Sequence, residues 1–143
     1  MVQGKTVLIT GATGFLGSKL VGGLLREGCN IVILKRSTSD LARLKEFQGM
    51  YSSYDIDIES LDSVFNEKNI DILIHTACNY GRNGESVTEI IETNLLLGLR
   101  LLDLSFKHGV KAFINTDTVL PANVSPYSRS KKQFYEWLKS AKG

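Results

Sequence analysis

The chain has 143 residues, of which 43% are hydrophobic and 22% charged, the composition of one ordinary globular domain. Its 17 basic and 15 acidic residues leave a net charge of +2, too little to favour nucleic acid or an anionic membrane as a partner. Cys29 and Cys78 are too few for a disulfide framework or a metal knuckle, so we expect both to be small core residues in a reducing setting, with no metal site.

We expect no signal peptide at the amino end and no membrane helix. Residues 1–10 contain one lysine and no long apolar region. The longest leucine-rich stretch, residues 95–104, is interrupted by Arg100 and Asp103 and is far shorter than the roughly 20 residues of a membrane helix. We therefore expect a cytoplasmic protein with no membrane partner.

Strand-like and helical segments alternate along the chain. Short apolar or β-branched runs predict strands at residues 5–10, 30–34, 50–54, 71–75 and 110–116. Helical patterns lie between them at residues 14–27, 41–47, 60–67 and 85–107, and Gly28, Gly49 and Gly109 close the first, second and fourth of these helices. A last helix begins with Ser125 as N-cap and Pro126 at its first position, and it runs toward Ala141.

This alternation predicts an α/β fold in which residues 1–143 form one domain. Five strands each followed by a helix are typical of a doubly wound parallel sheet with helices on both faces. The expected strand order is 3-2-1-4-5. Right-handed crossovers then bring every strand's carboxyl end to one edge, with a ligand at the switch between strands one and four.

The long fourth helix carries an apolar stripe with one polar residue inside it. The stripe predicted to be buried consists of Val87, Ile90, Ile91, Leu97, Leu101 and Leu102. Asn94 falls in the middle of this stripe, and a buried amide must find hydrogen-bond partners. A structural role and a role in a relay are both open for Asn94.

A glycine-rich turn follows the first strand and opens the first helix. Its T-G-x-x-G-x-x-G pattern lets the backbone approach a pyrophosphate, offers the free N–H groups of the helix and lets the last glycine pack closely on the sheet. The strand before and the helix after are the context that such a dinucleotide site requires. The residues predicted to contact the cofactor here are Gly11, Thr13, Gly14, Phe15, Leu16 and Gly17.

The end of the second strand bears on which nicotinamide cofactor is bound. A fold that selects NAD usually places an acid there for the ribose hydroxyls, whereas this chain has Lys35, Arg36 and Ser37. Two cations and a hydroxyl suit a 2′-phosphate, so NADP is favoured and NAD stays possible. The alternative is that Lys35 and Arg36 are solvated loop charges.

Tyr127 and Lys131 stand four residues apart on the final helix and therefore share a face. A neighbouring cation stabilises a phenolate and brings a tyrosine closer to its working range as an acid or base. Alone, such a pair is more often a half-buried ring and an extended lysine, but here it follows a predicted cofactor turn. Thr116, at the end of the fifth strand, offers a hydroxyl for a substrate carbonyl or for the backbone.

Six segments in a fixed order span nearly the whole chain and carry a resemblance. They are GATGFLG at residues 11–17, YDID at 54–57, DILIHTAC at 71–78, ETNLLLGLRLLDLS at 92–105, FINTDT at 113–118 and YSRSK at 127–131. In these segments the chain resembles the extended short-chain dehydrogenase/reductase family, in its nucleotide-sugar epimerase, dehydratase and reductase branch. The resemblance implies a Rossmann-like NAD(P)-binding domain.

The resemblance also implies roles for individual residues. Thr116 resembles the family's catalytic serine or threonine, Tyr127 its acid/base, Lys131 its lysine and Asn94 its helix asparagine. Asp55 with Ile56 resembles the adenine contact, and Thr76 with Ala77 the segment lining the ribose and nicotinamide side. The implied reaction is hydride transfer between nicotinamide and a sugar carbon, in which Lys131 holds the nicotinamide ribose and lowers the pKa of Tyr127.

Two departures from the family pattern shape the expected activity. Sugar dehydratases of this branch have T-D-E where this chain has Thr116, Asp117 and Thr118, so the loss of the second acid favours ketoreduction or epimerisation over dehydration. Family members also continue past the tyrosine helix with a region that grips the nucleotide-sugar substrate, so we expect a cofactor-binding half with little turnover. A homo-oligomer through the fourth and last helices is expected, and a noncatalytic NADP sensor or scaffold is the alternative.

Overall fold

A computed structural model describes residues 1–141. The chain forms two compact units. The first consists of Met1–Thr76 and His108–Asn115, and the second of Ala77–Lys107 with the described residues from Thr116 onward.

The first unit contains a five-stranded parallel sheet. Its strands are β1 (Thr6–Thr10), β2 (Asn30–Lys35), β3 (Tyr51–Asp55), β4 (Ile72–His75) and β5 (Ala112–Asn115). Their order is β3-β2-β1-β4-β5, which confirms the predicted order, and every pairing is parallel. The carboxyl ends of all five strands therefore lie at the same edge, with β1 between β2 and β4.

Three helical segments complete the first unit. They are α1 (Phe15–Arg26), a 3₁₀ helix (Ala42–Phe47) and α2 (Leu61–Glu67). The second predicted helix is present, but as a 3₁₀ helix, because six residues without a side-chain cap at Leu41 suit short i to i+3 turns. Gly28 and Gly49 follow α1 and the 3₁₀ helix with φ values of +75° and +82°, as expected of residues that end helical turns.

The core of the first unit centres on β1. Val7, Leu8 and Ile9 point alternately to the two faces of the sheet, and all three are fully buried. One cluster of buried residues comprises Val7, Ile9, Ala12, Val21, Cys29, Ile31, Ile33, Leu44 and Ile74. Cys29 is thus a core residue as predicted, whereas the prediction for Cys78 was wrong, since Cys78 is only half-buried in the loop after β4.

The second unit is helical in its regular parts. It contains α3 (Val87–Ile91), a π-helical turn (Glu92–Leu96), α4 (Leu97–Lys107) and α5 (Pro126–Ser140). Ile90, Leu101 and Leu102 are buried as predicted. Within residues 1–141 no helix combines the length and apolar character needed to cross a membrane.

The prediction that Val87 is buried was wrong. Its side chain is 55% exposed because Val87 is the first residue of α3 and directly follows the N-cap Ser86. Ser86 and Glu89 form a reciprocal capping box, which fixes this first turn and leaves Val87 at the tip of the helix.

Asp71, just before β4, ties three parts of the first unit together. Its carboxylate accepts the backbone N–H of Thr6 at 3.0 Å and the Lys111 ammonium at 3.0 Å, and Lys5 lies at 3.6 Å. The Thr6 and Lys111 hydrogen bonds, helped by the charge of Lys5, lower the pKa of Asp71 from 3.8 to about 2. Folding therefore favours the ionised form of the Asp71 carboxyl group.

We predict that Asp71→Asn destabilises the chain at neutral pH. Because the folded pKa of Asp71 is depressed, its contribution is present above the ordinary value of 3.8 and is lost as the pH falls toward 2. Urea unfolding at several pH values should therefore show a gap between wild type and variant that closes in this window. Asp103→Asn, at an exposed position of α4, is the control. A gap that persists at pH 2 would contradict the assignment.

Candidate functional site

The glycine turn between β1 and α1 leaves the first amides of the helix without side-chain partners. Gly14 is the N-cap, in an extended conformation and with no capping side chain. Its own N–H is bound to the Gly11 carbonyl at 3.0 Å. The first N–H groups of a helix have no partner within the helix, so α1 offers the anion site that the sequence predicts. Thr13 is half-buried, and Phe15 and Leu16 are exposed beside these amides.

Gly17 is required by close packing inside this turn. A Cβ atom at position 17 would lie 2.1 Å from the Gly11 carbonyl oxygen and 2.7 Å from Cα of Ala12. Both are backbone atoms, which cannot rotate away as a side chain can. The predicted close approach at Gly17 is therefore confirmed as geometry, while the contact of the turn with a cofactor stays a prediction.

The ends of β2 and β3 are joined by a network around Asp55. Its Oδ2 lies 3.1 Å from the Lys35 ammonium and accepts the Ser37 hydroxyl at 2.8 Å. Although partial burial acts in the opposite direction, hydrogen bonds from Ser37, the Asp57 amide and Lys35 hold the pKa of Asp55 below its usual value. Lys35 is therefore charge-paired within the chain, which the sequence did not reveal.

The other predicted cofactor residues of the first unit lie at the same sheet edge. Arg36 is exposed immediately after β2, and the Ile56 amide donates to the Lys35 carbonyl at 2.9 Å. The Thr76 hydroxyl donates to the Thr10 carbonyl at 2.7 Å and so joins the ends of β1 and β4. Ala77, the next residue, is half-buried and begins the second unit.

Tyr127 and Lys131 lie in the first two turns of α5. The helix begins as predicted, with a capping box between Ser125 and Ser128 and with Pro126 in its first turn. Tyr127 is half-buried, whereas Lys131 is only 2% exposed. The shared helical face thus places an ammonium deep in the second unit and a phenol nearer its surface.

The Lys131 side chain is buried near two groups that favour its charged form. Burial lowers its pKa, while the nearby Cys78 and Asp117 act in the opposite direction. An ammonium removed from water without a partner is costly, so buried lysines are normally paired or serve a ligand. The position of Lys131 fits a residue whose hydrogen-bond partner is a bound molecule.

The pKa of Tyr127 is raised, which is opposite to the predicted effect of Lys131. Burial is the largest cause, and the charges of Cys78 and Asp117 act in the same direction. A hydrogen bond from the Thr118 side chain and the charge of Arg82 partly oppose the rise. Lys131 is not among the causes of this shift, which desolvation of the phenol dominates, so the predicted lowering by Lys131 stays a prediction.

Two residues after β4 that the sequence analysis missed pack beside Tyr127. The ring centroids of Tyr80 and Tyr127 are 4.8 Å apart, and the guanidinium of Arg82 lies 4.8 Å from the Tyr80 ring centroid. A hydrogen bond to Cys78 is the largest of the effects that raise the pKa of Tyr80, to about 12, so Tyr80 stays protonated at neutral pH. No motif marks these residues, since only the fold brings their loop to α5.

Asn94 is 1% exposed and lies in the π-helical turn. Its side chain accepts the Asn79 N–H at 2.6 Å, donates to the Asn79 carbonyl at 2.8 Å and donates to the Ser130 hydroxyl at 3.1 Å. Ser130 in turn donates to the Tyr127 carbonyl at 2.9 Å. Asn94 therefore joins the loop after β4 to the helix turn that carries Tyr127, and such single π turns are frequent at functional sites.

Thr116 lies half-buried at the start of the segment that leads to α5. The following residues are attached to that helix through Lys132. Its ammonium lies 2.7 Å from Oδ2 of Asp117 and donates to the Thr118 carbonyl at 2.5 Å. Sequence analysis considered Thr118 only as the replacement of a dehydratase acid, and it predicted no contact between this segment and Lys132.

We predict opposite effects for two glycine-to-alanine changes in α1. Gly17→Ala should destabilise the chain by about 1–3 kcal/mol, because its Cβ meets immobile backbone. Gly23→Ala should stabilise it by about 0.5–1 kcal/mol, because an added Cβ would meet no side chain or other segment within 4 Å and alanine favours the helix. Thermal unfolding followed by circular dichroism tests both, and equal effects would contradict the close packing at Gly17.

We predict that Asn94→Ala destabilises the chain by about 1–3 kcal/mol, because it leaves the Asn79 amide and carbonyl without their partner. Asn83→Ala is the matched control, since Asn83 is exposed and such surface changes usually stay within about 0.5 kcal/mol. Urea unfolding measures both. A loss for Asn94→Ala no larger than for the control would show that these hydrogen bonds contribute little.

The chain is similar to curated enzymes over nearly its whole length. A CDP-abequose synthase from Salmonella muenchen is 33% identical over 141 residues, which cover 94% of this chain and 47% of that protein. The chain spans about half the length of the curated relatives that it matches.

Solved structures share the fold at lower identity. The UDP-glucose 4-epimerase of Thermotoga maritima matches with a TM-score of 0.80 and 24% identity over 94% of this chain and 50% of that one. The Bordetella bronchiseptica enzyme WbmH, solved with NAD⁺, matches with a TM-score of 0.83 and 22% identity over 94% of this chain and 52% of that one. The model of the NAD dependent epimerase/dehydratase family matches residues 7–142, and the chain therefore belongs to this family.

Proposed function

We propose that the chain is the cofactor-binding part of an NADP-dependent oxidoreductase that acts on a nucleotide-linked sugar ketone, by ketoreduction or epimerisation. The observation that carries the proposal is the buried Lys131 side chain, which lies four residues after the half-buried Tyr127 phenol on α5. Family membership supplies the reaction class, and the names of the relatives point to nucleotide sugars.

Each unit, taken by itself, carries groups that suit part of a nicotinamide dinucleotide. In the first unit the uncapped amides of α1 and the tight turn at Gly17 suit a pyrophosphate. In the second unit Lys131 offers its ammonium to the hydroxyls of a ribose. When bound, the cofactor would supply or accept the hydride.

In this proposal Tyr127 transfers the proton of the sugar hydroxyl. The phenol is protonated at neutral pH and can deliver a proton to a ketone oxygen, although its raised pKa makes it a weaker acid than an ordinary tyrosine. Thr116 offers a hydroxyl that polarises the ketone oxygen. Asn94 holds the backbone on which this arrangement depends, through Asn79 and Ser130.

The choice of NADP over NAD rests on Arg36. Lys35 and Ser37 are both bound to Asp55, so their capacity for a phosphate is reduced. Arg36 is exposed at the end of β2, where the fold family reads the adenosine ribose. A guanidinium binds a phosphate through two parallel hydrogen bonds, which makes Arg36 the residue proposed to select the 2′-phosphate.

Self-association through the last two helices is part of the proposal. Phe106 on α4 and Trp137 on α5 are 45% and 58% exposed, and Tyr135 is 39% exposed. Exposed aromatic side chains on helices are typical of surfaces that pair with another chain.

We predict that NADPH binds more tightly than NADH when each is titrated against the chain and followed by cofactor fluorescence. Arg36→Ala should weaken NADPH about tenfold and leave NADH unchanged, because one charge-assisted phosphate contact is lost. Arg43→Ala, an exposed arginine of the 3₁₀ helix, is the control for net charge. Lys131→Met should weaken both cofactors.

Two outcomes of this titration would overturn the proposal in different ways. Equal or tighter binding of NADH would reject the role of Arg36 and the preference for NADP. No binding of either cofactor would reject the cofactor-binding role of this chain.

A further inference from the structure

Asp57 lies beside the strand end that is proposed to select the cofactor. Strand β2 ends at Lys35 and β3 ends at Asp55, and these two residues are register partners in the parallel sheet. Ser37 and Asp57 each follow two residues after these ends. The Ser37 backbone N–H donates to Oδ2 of Asp57 at 2.9 Å. A carboxylate from the loop after β3 is therefore bound to the backbone of the segment that follows β2.

A hydrogen-bonded loop at residues 55–59 holds the Asp57 carboxylate in this place. The Asp57 backbone N–H donates to Oδ1 of Asp55 at 3.0 Å. The Glu59 backbone N–H donates to the Asp55 carbonyl at 2.7 Å, and the Glu59 carboxylate accepts the Asp55 N–H at 2.8 Å. Because these bonds close the backbone on both sides of Asp57, the loop sets the position of its carboxylate.

The Ser37 amide is a group that a ribose phosphate could use. Dinucleotide folds bind the adenosine ribose at the end of the second strand, and backbone N–H groups in turns bind phosphate oxygens. Here the Asp57 carboxylate already accepts this N–H. A phosphate could take the same proton only by displacing the carboxylate. Asp57 thus occupies, with its own negative charge, a position that suits a phosphate.

Carboxylates also offset the cations of this segment. Lys35 lies 3.1 Å from Oδ2 of Asp55, which leaves the exposed Arg36 as the residue proposed to bind the 2′-phosphate. Asp57 adds a further negative charge at Ser37, the residue next to Arg36. Like charges repel at such short range. A 2′-phosphate brought to Arg36 would therefore meet an attractive guanidinium and a repulsive carboxylate.

We propose that Asp57 is a specificity-determining residue that limits the affinity of this site for a 2′-phosphate and so opposes the contribution of Arg36. The preference between the two cofactors is then set by an attraction from Arg36 and a repulsion from Asp57. The inference rests on the proposed cofactor role of the chain, but it does not depend on which cofactor the wild type prefers.

The test compares the affinities of NADPH and NADH for the whole chain, titrated by cofactor fluorescence. Asp57→Asn keeps an oxygen that can accept the Ser37 N–H but removes the charge. It should strengthen NADPH binding about fivefold, the effect of one unit charge at about 4 Å in water, and leave NADH within about twofold. The gain should shrink at high salt, which screens exposed charges. Glu46→Gln, at an exposed acid of the 3₁₀ helix, changes the net charge equally and is the control.

Asp57→Ala, which also leaves the Ser37 N–H available to a phosphate, provides a second variant, and circular dichroism checks that each variant is folded. An unchanged NADPH affinity in both folded variants would overturn the role of Asp57 while cofactor binding itself stands. An equal gain for NADH, or for Glu46→Gln, would do the same. If neither the wild type nor the variants bind either cofactor, this inference fails together with the proposed function.

Discussion

The burial of the central strand β1 determines where the first unit can bind a ligand. β1 pairs with a strand on each side, and its residues Val7, Leu8 and Ile9 are fully buried on both faces. The buried side chains and paired backbone of these three residues therefore cannot contact a ligand. Only the carboxyl end remains, where Thr10 bonds His75, Thr76 bonds the Thr10 carbonyl and the glycine turn begins. The parallel pairing therefore decides where recognition can occur.

Desolvation is the corresponding constraint in the second unit. It acts in opposite directions on the two titratable groups of α5, since it raises the pKa of Tyr127 and lowers that of Lys131. Both changes favour the uncharged forms, because for each group burial is the largest cause of the shift. A phenol and an amine that are both shifted toward neutrality are prepared to share protons and hydrogen bonds with a bound molecule, and this is why the pair supports the proposed chemistry.

The sequence predicted most of the fold because strand and helix periods alternate clearly and the glycine turn has a fixed context. The five strands and the capping of α5 by Ser125 followed directly from local pattern. What it missed depends on contacts between distant segments. The pairing of Lys35 with Asp55 needs β2 and β3 side by side, and the packing of Tyr80 on Tyr127 needs the loop after β4 to reach α5. Neither contact can be predicted from the spacing of residues along the chain.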